Sequence, residues 1–306
     1  MATTGQPMRV VITGASSGLG RALAVECARR FPGIRLMLVA RRADRLAELA
    51  AALPEAACDC VALDAADPAA LRSACNLFAA RHGAPDIVIA NAGISAGTIT
   101  GTGDDRAVFR RIVDVNLLAM VETFDPFIAP MRSAGGGILV GIGSVAGIRG
   151  LPGAEAYSAS KAAVHSYLES LRVGLRDSGI AVVTVAPGYI RTEMTARNQY
   201  PMPFLMPADE FARRAVDAIL ARRSYVVIPW QMGWVARLLR LLPNWLYDRA
   251  FANAPRKARD PGLAKELVDA AGSTRPADAP EGGSPGHAPA DRAPPGRDAG
   301  GRSGAR

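Results

Sequence analysis

The stretch Thr13-Gly14-Ala15-Ser16-Ser17-Gly18-Leu19-Gly20 follows a short apolar run, 10–12, and precedes an amphipathic helical pattern. Glycines in such a turn let a pyrophosphate approach the backbone and let the helix pack tightly on the strand. The first N–H groups of the helix and its dipole then face the phosphates. We therefore expect residues 13–20 to form a phosphate-binding turn after the first strand of a doubly wound sheet.

Short β-branched runs alternate with longer amphipathic stretches along the rest of the chain. Strands are predicted at 9–13, 35–40, 58–64, 86–90, 137–141, 181–186 and 224–229, and helices around 18–31, 44–52, 68–82, 104–133, 155–178 and 208–223. This alternation predicts an α/β protein. Its core would be a doubly wound, seven-stranded parallel sheet of the Rossmann type, with helices on both faces.

The end of the second strand, Val39-Ala40-Arg41-Arg42, bears on the choice of cofactor. An NAD site usually has an acidic residue here, which bonds the ribose hydroxyls. Two guanidinium groups stand in its place, and their planar forks match a phosphate. We therefore predict NADP(H). The alternative is that both arginines only begin an exposed helix with Asp44 and Arg45.

Further motifs follow in order: Asn91-Ala92-Gly93, Asn116, Ser144, Tyr157-x-x-x-Lys161 and Pro187-Gly188. Together with the glycine turn they resemble the short-chain dehydrogenase/reductase superfamily, in its single-domain form, from about residue 8 to residue 229. The resemblance implies a catalytic set of Ser144, Tyr157, Lys161 and Asn116. It also implies a cofactor site made of Gly14, Ser16, Ser17, Gly18, Leu19, Gly20, Arg41, Arg42, Asp64, Asn91, Ala92, Gly93, Tyr157, Lys161, Pro187, Gly188, Ile190 and Thr192.

Individual roles also follow from the resemblance alone. Asp64 would meet the adenine amino group, and Asn91 would support the turn on the cofactor side. Ile190 and Thr192 would contact the carboxamide region of the nicotinamide. Asn116 would hold a water molecule that links the catalytic lysine to solvent.

Gly143 departs from the family pattern, which often has a second serine just before the catalytic one. The interval from Ser144 to Tyr157 still fits the family, so the role of catalytic serine stays with Ser144. We expect Gly143 only to loosen the backbone locally.

The chemistry explains why these residue types occur together. A phenol, with a pKa of about 10, is a poor acid/base near neutrality. Lys161 lies one helical turn after Tyr157, so its ammonium is expected to lower the pKa of Tyr157 and to bond the nicotinamide ribose. Ser144 would hydrogen-bond the substrate oxygen. The set predicts hydride transfer between NADPH and a carbonyl or alcohol, with Tyr157 as acid/base.

Substrate selectivity is expected from the segment at about 189–206. This segment is apolar and rich in methionine, and it includes Met194, Tyr200, Met202, Phe204, Leu205 and Met206. Such surfaces adapt to varied apolar ligands. We therefore expect a medium-sized apolar ketone, aldehyde or alcohol as the substrate.

The chain is predicted to divide into a catalytic domain at 1–229, a basic amphipathic helical extension at 230–271 and a disordered tail at 272–306. Residues 222–265 include nine basic and two acidic side chains. On a helical wheel a strip of Gly233, Arg237 and Arg240 borders an apolar arc of Trp234, Val235, Leu238, Leu239, Leu241 and Leu242. The arc either packs on the domain or a second subunit, or it contacts an anionic membrane surface.

Three classes of function stay open: a carbonyl reductase, a membrane-surface reductase of lipid-like 3-keto substrates, and a non-catalytic NADP(H)-binding regulator. The intact catalytic set favours an enzyme. The four cysteines and three histidines show no metal-ligand spacing, so no metal is expected. The basic stretch lacks a recognition motif, so no nucleic-acid partner is expected.

Location and assembly are also predicted. With no signal peptide and no apolar run long enough to span a bilayer, we expect a cytoplasmic protein, with the inner face of a membrane as the alternative. The family commonly pairs its long helices across a two-fold axis. The resemblance therefore implies a homodimer or homotetramer that assembles through the helices at 104–133 and 155–178.

Overall fold

A seven-stranded parallel sheet organises the chain. The computed structural model describes residues 7–102, 105–196, 198, 200–260, 262–264 and 267. The strands are β1 Arg9–Thr13, β2 Arg35–Ala40, β3 Ala57–Ala62, β4 Ile87–Ala90, β5 Gly137–Ile142, β6 Ile180–Pro187 and β7 Tyr225–Ile228. All neighbouring strands pair in parallel, in the order β3-β2-β1-β4-β5-β6-β7. The predicted doubly wound fold is confirmed.

Helices cover both faces of this sheet. They are α1 Gly18–Arg30, α2 Ala43–Ala51, α3 Pro68–His82, α4 Asp105–Val113, α5 Ala119–Ser133, α6 Glu155–Gly174, α7 Glu193–Ala196, α8 Ala208–Leu220, α9 Trp230–Leu241 and α10 Asn244–Phe251. None of the helices in the described part of the chain is long and apolar enough to cross a lipid bilayer.

The central strands are buried on both faces, because successive side chains of a strand point to opposite sides. In β1, Ile12 packs in one core with Leu23 of α1 and Phe211 of α8. Its neighbour Val11 packs in the other core with Phe124 of α5. Each such side chain contributes about 1.5–3 kcal/mol when fully buried. The two cores fix the carboxyl ends of the strands, where the predicted site residues lie.

The winding of the sheet reverses between β1 and β4. Strands β2 and β3 extend to one side of β1, whereas β5, β6 and β7 extend beyond β4. The connections after β1 and β4 therefore run to opposite faces and leave a crevice at the carboxyl edge of the sheet, which is the usual ligand site in such folds.

The helix predicted at 104–133 is interrupted. A π-helical turn, Asp114–Leu118, separates α4 from α5, while residues 103 and 104 lie outside the described part. The turn contains Asn116, whose side chain is fully buried. Such turns are frequent at functional sites, because the inserted residue shifts the side chains that follow it.

The C-terminal extension packs on the domain, but through a different face from the predicted one. Met232, Gly233 and Ala236 are buried, whereas Trp234 and Leu238 of the predicted arc are 59% and 62% exposed. A Cβ on Gly233 would lie 3.2 Å from Cβ of Val227 in β7. The placement of Gly233 in a narrow polar strip was therefore wrong, because Gly233 is buried and its lack of a side chain allows α9 to approach β7.

Polar contacts attach the end of the extension. The guanidinium of Arg149 donates to the carbonyl oxygens of Leu239 (2.8 Å) and Leu242 (2.9 Å), and it lies 3.9 Å above the ring of Tyr247. The Tyr247 hydroxyl donates to the carbonyl of Gly150 at 2.6 Å. The predicted tail at 272–306 lies outside the described residues.

Candidate active site

The glycine turn after β1 closes tightly on itself. Gly14 and Gly18 have φ angles of 68° and 53°, in the left-handed region that favours glycine. A Cβ on Gly20 would overlap the carbonyl oxygen of Gly14. The Asn91 amide nitrogen donates to the carbonyls of Thr13 (3.0 Å) and Gly14 (3.2 Å), so the loop after β4 holds the turn in place.

The start of α1 and one guanidinium lie at the mouth of this turn. The Ser17 side chain makes no capping bond with the described residues, so the first N–H groups of α1 face the crevice. At the end of β2, the Arg42 guanidinium donates to the hydroxyl of Ser16 at 3.2 Å and lies 3.6 Å from the Glu193 carboxylate. The arrangement is suited to a polyanion, since N–H groups, a helix dipole and a guanidinium converge on one opening.

Asp64 lies two residues beyond the end of β3 and is held by a cation that sequence reasoning missed. Its carboxylate accepts from the N–H of Ala66 at 3.0 Å and pairs with the guanidinium of Arg111 in α4. Burial acts to raise the pKa of Asp64, but these two partners and the charge of Arg41 outweigh it, so its pKa is lowered. Asp64 is therefore an ionised, positioned acceptor.

Asn116 braces the loop after β4 against α6. Its side-chain oxygen accepts from the N–H of Ile94 at 2.8 Å, and its nitrogen donates to the Ile94 carbonyl (3.1 Å) and the Ser160 hydroxyl (3.0 Å). A Cβ on Gly93 would lie 3.3 Å from the Asn116 oxygen and 3.7 Å from Nζ of Lys161. The absence of a side chain at Gly93 thus keeps space beside both groups.

Ser144, Tyr157 and Lys161 come together at the end of β5. The Ser144 hydroxyl accepts from the N–H of Ala146 at 3.1 Å and caps the short 3₁₀ turn Val145–Gly147. The Ser144 side chain also interacts with the phenol of Tyr157 and acts to lower the pKa of that group. Nζ of Lys161 lies 6.0 Å from the centroid of the Tyr157 ring and donates to the Ile142 carbonyl at 2.8 Å.

Burial dominates the protonation of this group. It lowers the pKa of Lys161 to about 8. It also raises the pKa of Tyr157, and the interaction with Ser144 only partly opposes that shift. In this arrangement the ammonium of Lys161 is directed to the Ile142 carbonyl, and burial gives Tyr157 a net rise in pKa where a fall was expected. Tyr157 is a neutral phenol and hence a proton donor.

His165, which sequence reasoning missed, explains Gly143. A Cβ on Gly143 would overlap Nε2 of His165 and lie 2.7 Å from its Cδ2. The N–H of Ser144 donates to the same Nε2 at 3.4 Å. Burial, assisted by the charge of Lys161, lowers the pKa of His165 to about 4, so the imidazole is neutral and can accept. The predicted loosening was wrong, because Gly143 makes room for a ring.

The loop after β6 approaches the glycine turn. The N–H of Gly188 donates to the Ile228 carbonyl at 2.8 Å, and a Cβ on Gly188 would lie 2.7 Å from Cγ of Met232 in α9. The Thr192 methyl would lie 3.4 Å from a Cβ on Gly18, so Thr192 faces the turn. The Ile190 side chain is buried in the core, which leaves only its backbone for a ligand.

Residues 8–202 match the family model described as short chain dehydrogenase. The chain belongs to this family. An uncharacterized oxidoreductase of Myxococcus xanthus (strain DK1622) is 38% identical to it over 242 residues, which cover 78% of this chain and 94% of that protein. This short-chain dehydrogenase is accordingly an oxidoreductase.

Solved structures share its fold. A short-chain dehydrogenase from Sphingobium yanoikuyae in complex with NADPH is 31% identical, with a TM-score of 0.65 over 78% of this chain and 97% of that one. A short-chain dehydrogenase/reductase from Burkholderia phymatum in complex with NAD has a TM-score of 0.69 at 23% identity, over 85% of this chain and 99% of that one. At 23% identity, the similarity to the Burkholderia phymatum protein supports only the shared fold.

Beside the predicted catalytic residue Tyr157, the dehydrogenase has an aromatic and apolar wall. Tyr189 and Tyr200 meet edge to face, with ring centroids 6.2 Å apart. Met206 is buried, whereas Met194 and Phe204 are 40% and 51% exposed. Residues 197 and 199 of this segment lie outside the described part.

Lys257 is a third residue near the site that sequence reasoning missed. Nζ of Lys257, from the segment after α10, lies 5.7 Å from the centroid of the Tyr157 ring. The basic composition of 222–265 was the only signal of this residue, and it gave no position.

Proposed function

We propose that this dehydrogenase is an NADPH-dependent carbonyl reductase that converts a medium-sized, largely apolar ketone or aldehyde into the alcohol, or the reverse. The observation that carries the proposal is the convergence of Ser144, Tyr157 and Lys161 beside the glycine turn. When bound, NADPH supplies the hydride.

The glycine turn and its surroundings fit such a cofactor. Gly14 and Gly20 leave no room for a Cβ against the loop after β4 and the turn's own backbone, so the turn stays tight, and the N-terminus of α1 begins beside it. Arg42, which lies beside Ser16, and the adjacent Arg41 would hold the 2′-phosphate. Lys161 would bond the nicotinamide ribose, while Thr192 and the backbone of Ile190 would face the carboxamide.

The proposed proton transfer uses the neutral phenol. Oη of Tyr157 donates a proton to the substrate oxygen as the carbonyl carbon accepts hydride. The Ser144 hydroxyl orients that oxygen and stabilises the charge that develops on it. Because burial raises the pKa of Tyr157, the phenol keeps its proton near neutral pH and can serve as the donor when the carbonyl is reduced.

The test is NADPH oxidation in the presence of a panel of aliphatic and aromatic ketones and aldehydes. Tyr157→Phe should lower turnover by at least about a hundredfold, while NADPH binding measured by calorimetry persists. Tyr225→Phe is the matched control, because it removes a phenol from a partly exposed residue of β7. Turnover by Tyr157→Phe at the wild-type rate, or NADPH binding without turnover of any carbonyl, would contradict the proposal.

A second candidate function is the same carbonyl reduction carried out at a membrane surface. Trp230, Trp234 and Leu241 are 62%, 59% and 79% exposed on α9, with Trp245 also exposed on α10. Arg237, Arg240 and Arg249 accompany this face. An apolar surface with tryptophans and arginines suits the interface of an anionic bilayer. The enzyme would then act on lipid-like 3-keto substrates at the membrane surface.

Co-sedimentation with phosphatidylglycerol vesicles, at low and high salt, tests this candidate. Binding that weakens in salt and is lost in Trp234→Glu/Leu238→Glu supports it. Leu77→Glu, on the exposed face of α3, is the control. Absence of wild-type binding, or binding that the double variant retains, contradicts it.

We also infer a homodimer or homotetramer that assembles through α5 and α6. Leu118, which precedes α5, and Val173 near the end of α6 are 50% and 58% exposed, and such apolar side chains commonly mark interfaces. Sedimentation velocity at micromolar concentration should show a dimer or tetramer. A monomer alone would contradict the inference.

A further inference from the structure

Residues 255–260 form a strap that crosses the loops beside the active site. The N–H of Gly97 donates to the Ala258 carbonyl at 2.8 Å. A Cβ on Gly97 would overlap the carbonyl of Lys257, and a Cβ on Gly153 would lie 2.7 Å from Cβ of Arg256. The strap can lie this close only because both loops present a glycine to it.

An ion pair fixes the end of the strap. The Arg259 guanidinium lies 3.1 Å from the carboxylate of Asp105 and donates to the Thr102 hydroxyl at 2.9 Å. Asp105 is itself nearly buried and accepts from the N–H of Ile99 at 2.7 Å. The strap is thus anchored on both sides of Lys257, so the position of that residue is defined by the fold.

The ammonium of Lys257 faces the acid/base residue. Nζ lies 5.7 Å from the centroid of the Tyr157 ring. The side chain is partly buried, and desolvation lowers the pKa of Lys257. Among the described residues the ammonium has no carboxylate or hydrogen-bond partner. Burial of a cation destabilises the folded protein unless a counter-charge or hydrogen-bond acceptors accompany it.

We propose that Lys257 binds an anionic group of the substrate, a carboxylate or a phosphate, located a few bonds from the carbonyl that Tyr157 protonates. The inference rests on the proposed carbonyl reductase function and narrows its substrate class. The wall that includes Tyr189 and Tyr200 would contact the apolar remainder of the molecule. The substrate class is therefore an amphipathic oxo acid or oxo phosphate.

The chemistry of the step is unchanged by this group. One hydride from NADPH and one proton from Tyr157 convert the carbonyl to the alcohol, and the anionic group keeps its charge throughout. Its contribution is orientation: an ammonium with three donors holds one end of the substrate, so that the carbonyl stays at the phenol.

Matched substrate pairs test the proposal. The carboxylate pair is 3-oxooctanoate and its methyl ester, and the phosphate pair is 3-oxooctyl phosphate and 1-hydroxyoctan-3-one. We expect the wild-type kcat/KM for at least one anion to exceed that of its neutral partner by about tenfold or more, which corresponds to about 1.4 kcal/mol. The two pairs separate carboxylate from phosphate recognition.

Variants of the strap assign the effect to one residue. Lys257→Met should abolish the preference for the anion while leaving kcat/KM for the neutral partner within about threefold. Lys257→Arg should retain most of the preference. Arg256→Met, which removes an exposed cation from the same strap, should change neither value.

Two outcomes overturn the inference. One is a wild-type enzyme that turns over anions and neutral partners equally. The other is Lys257→Met losing activity on both in parallel, which would make Lys257 a purely structural partner of the Tyr157 ring. In either case turnover of neutral ketones that depends on Tyr157 leaves the carbonyl reductase function intact.

A binding measurement covers the case in which no tested carbonyl is reduced. Calorimetric titration of octanoate and octyl phosphate into the protein with saturating NADP⁺ does not depend on turnover. We expect at least one to bind the wild type and to bind Lys257→Met at least about tenfold more weakly. If neither anion binds, or both proteins bind alike, Lys257 is not an anion site, whatever the outcome for the proposed reaction.

Discussion

The imidazole of His165 occupies the space into which a side chain at Gly143 would project. A Cβ there would lie 2.7 Å from Cδ2 of the ring and closer still to its Nε2. The same Nε2 accepts the N–H of Ser144. A neutral histidine from α6 thus sets the backbone at the end of β5, one residue before the proposed catalytic serine.

Replacing Gly143 with serine, the residue common in the family, should therefore destabilise the protein. Overpacking of this kind typically costs about 1–3 kcal/mol in the free energy of unfolding. In a His165→Ala background the space is open, and the same substitution should cost about 1 kcal/mol or less. A double-mutant cycle by urea unfolding measures the coupling. Equal costs in both backgrounds would show that the ring is not the obstacle.

The low pKa of Lys161 makes a prediction about stability and pH. In the folded protein Lys161 loses its proton near pH 8, whereas in the unfolded chain it does so near the ordinary value of 10.5. Between these values the unfolded state binds more protons, so the contribution of this group to stability rises with pH. Below pH 8 the buried ammonium destabilises the fold.

Lys161→Met removes that destabilising charge. The variant should be more stable than the wild type at about pH 7, and its advantage should shrink towards about pH 10. Urea midpoints across this range give the answer, with Arg172→Met, at an exposed position of the same helix, as the control. An advantage that stays constant with pH would refute the depressed pKa.

Arg41 and Arg42 should determine the preference for NADPH. Changing both to alanine should weaken NADPH binding by at least about tenfold, since each charge-assisted bond is worth about 1.5–3 kcal/mol, while NADH affinity changes by about twofold or less. Arg45→Ala is the control, because that arginine pairs with Glu48 at 3.4 Å on the exposed face of α2. Equal wild-type affinities for the two cofactors would contradict this assignment.

Arg149 should stabilise the C-terminal helices. Arg149→Ala leaves the carbonyls of Leu239 and Leu242 without their donor, so the free energy of unfolding should fall by about 1.5–3 kcal/mol. Amide hydrogen exchange in α10 should accelerate more than exchange in β1. If the exchange rates in α10 and β1 rise equally, Arg149 stabilises the whole domain and has no local effect on the C-terminal helices.

The sheet could be predicted from sequence because both of its faces are buried. Apolar runs such as the one that contains Val11 therefore stand out without alternation. Strand β3 was predicted to end at residue 64, two residues beyond its observed end at Ala62. One strand-like hydrogen bond does continue past that end, because the N–H of Leu63 donates to the Ala40 carbonyl at 3.0 Å. The π-helical turn around Asn116 was missed because one extra residue in a turn changes neither composition nor amphipathic character.

The glycine turn, Asn91, Ser144 and Pro187-Gly188 could be located because they lie at or just beyond the carboxyl ends of strands, whereas Asn116, Tyr157 and Lys161, which lie on helices, were assigned through the resemblance to the family. The partners of these residues could not be located. The contact of His165 with Gly143 joins a helix to a strand end and has no spacing signature. Lys257 approaches Tyr157 from a segment without regular secondary structure. Hydrophobic periodicity cannot predict the position of a residue in such a segment. The pKa of Tyr157 depends on burial, which a list of charged neighbours does not supply.

Contacts of the C-terminal segment cross the predicted boundary at residue 229. Met232 lies against Gly188, the carbonyls at the end of α9 accept from Arg149, and Ala258 accepts from Gly97. A chimera that takes only residues 230–260 from a relative would bring together surfaces that did not evolve in contact. Exchange of specificity between family members should therefore transfer the C-terminal segment together with the loops around 97 and 149–153, as one inherited unit.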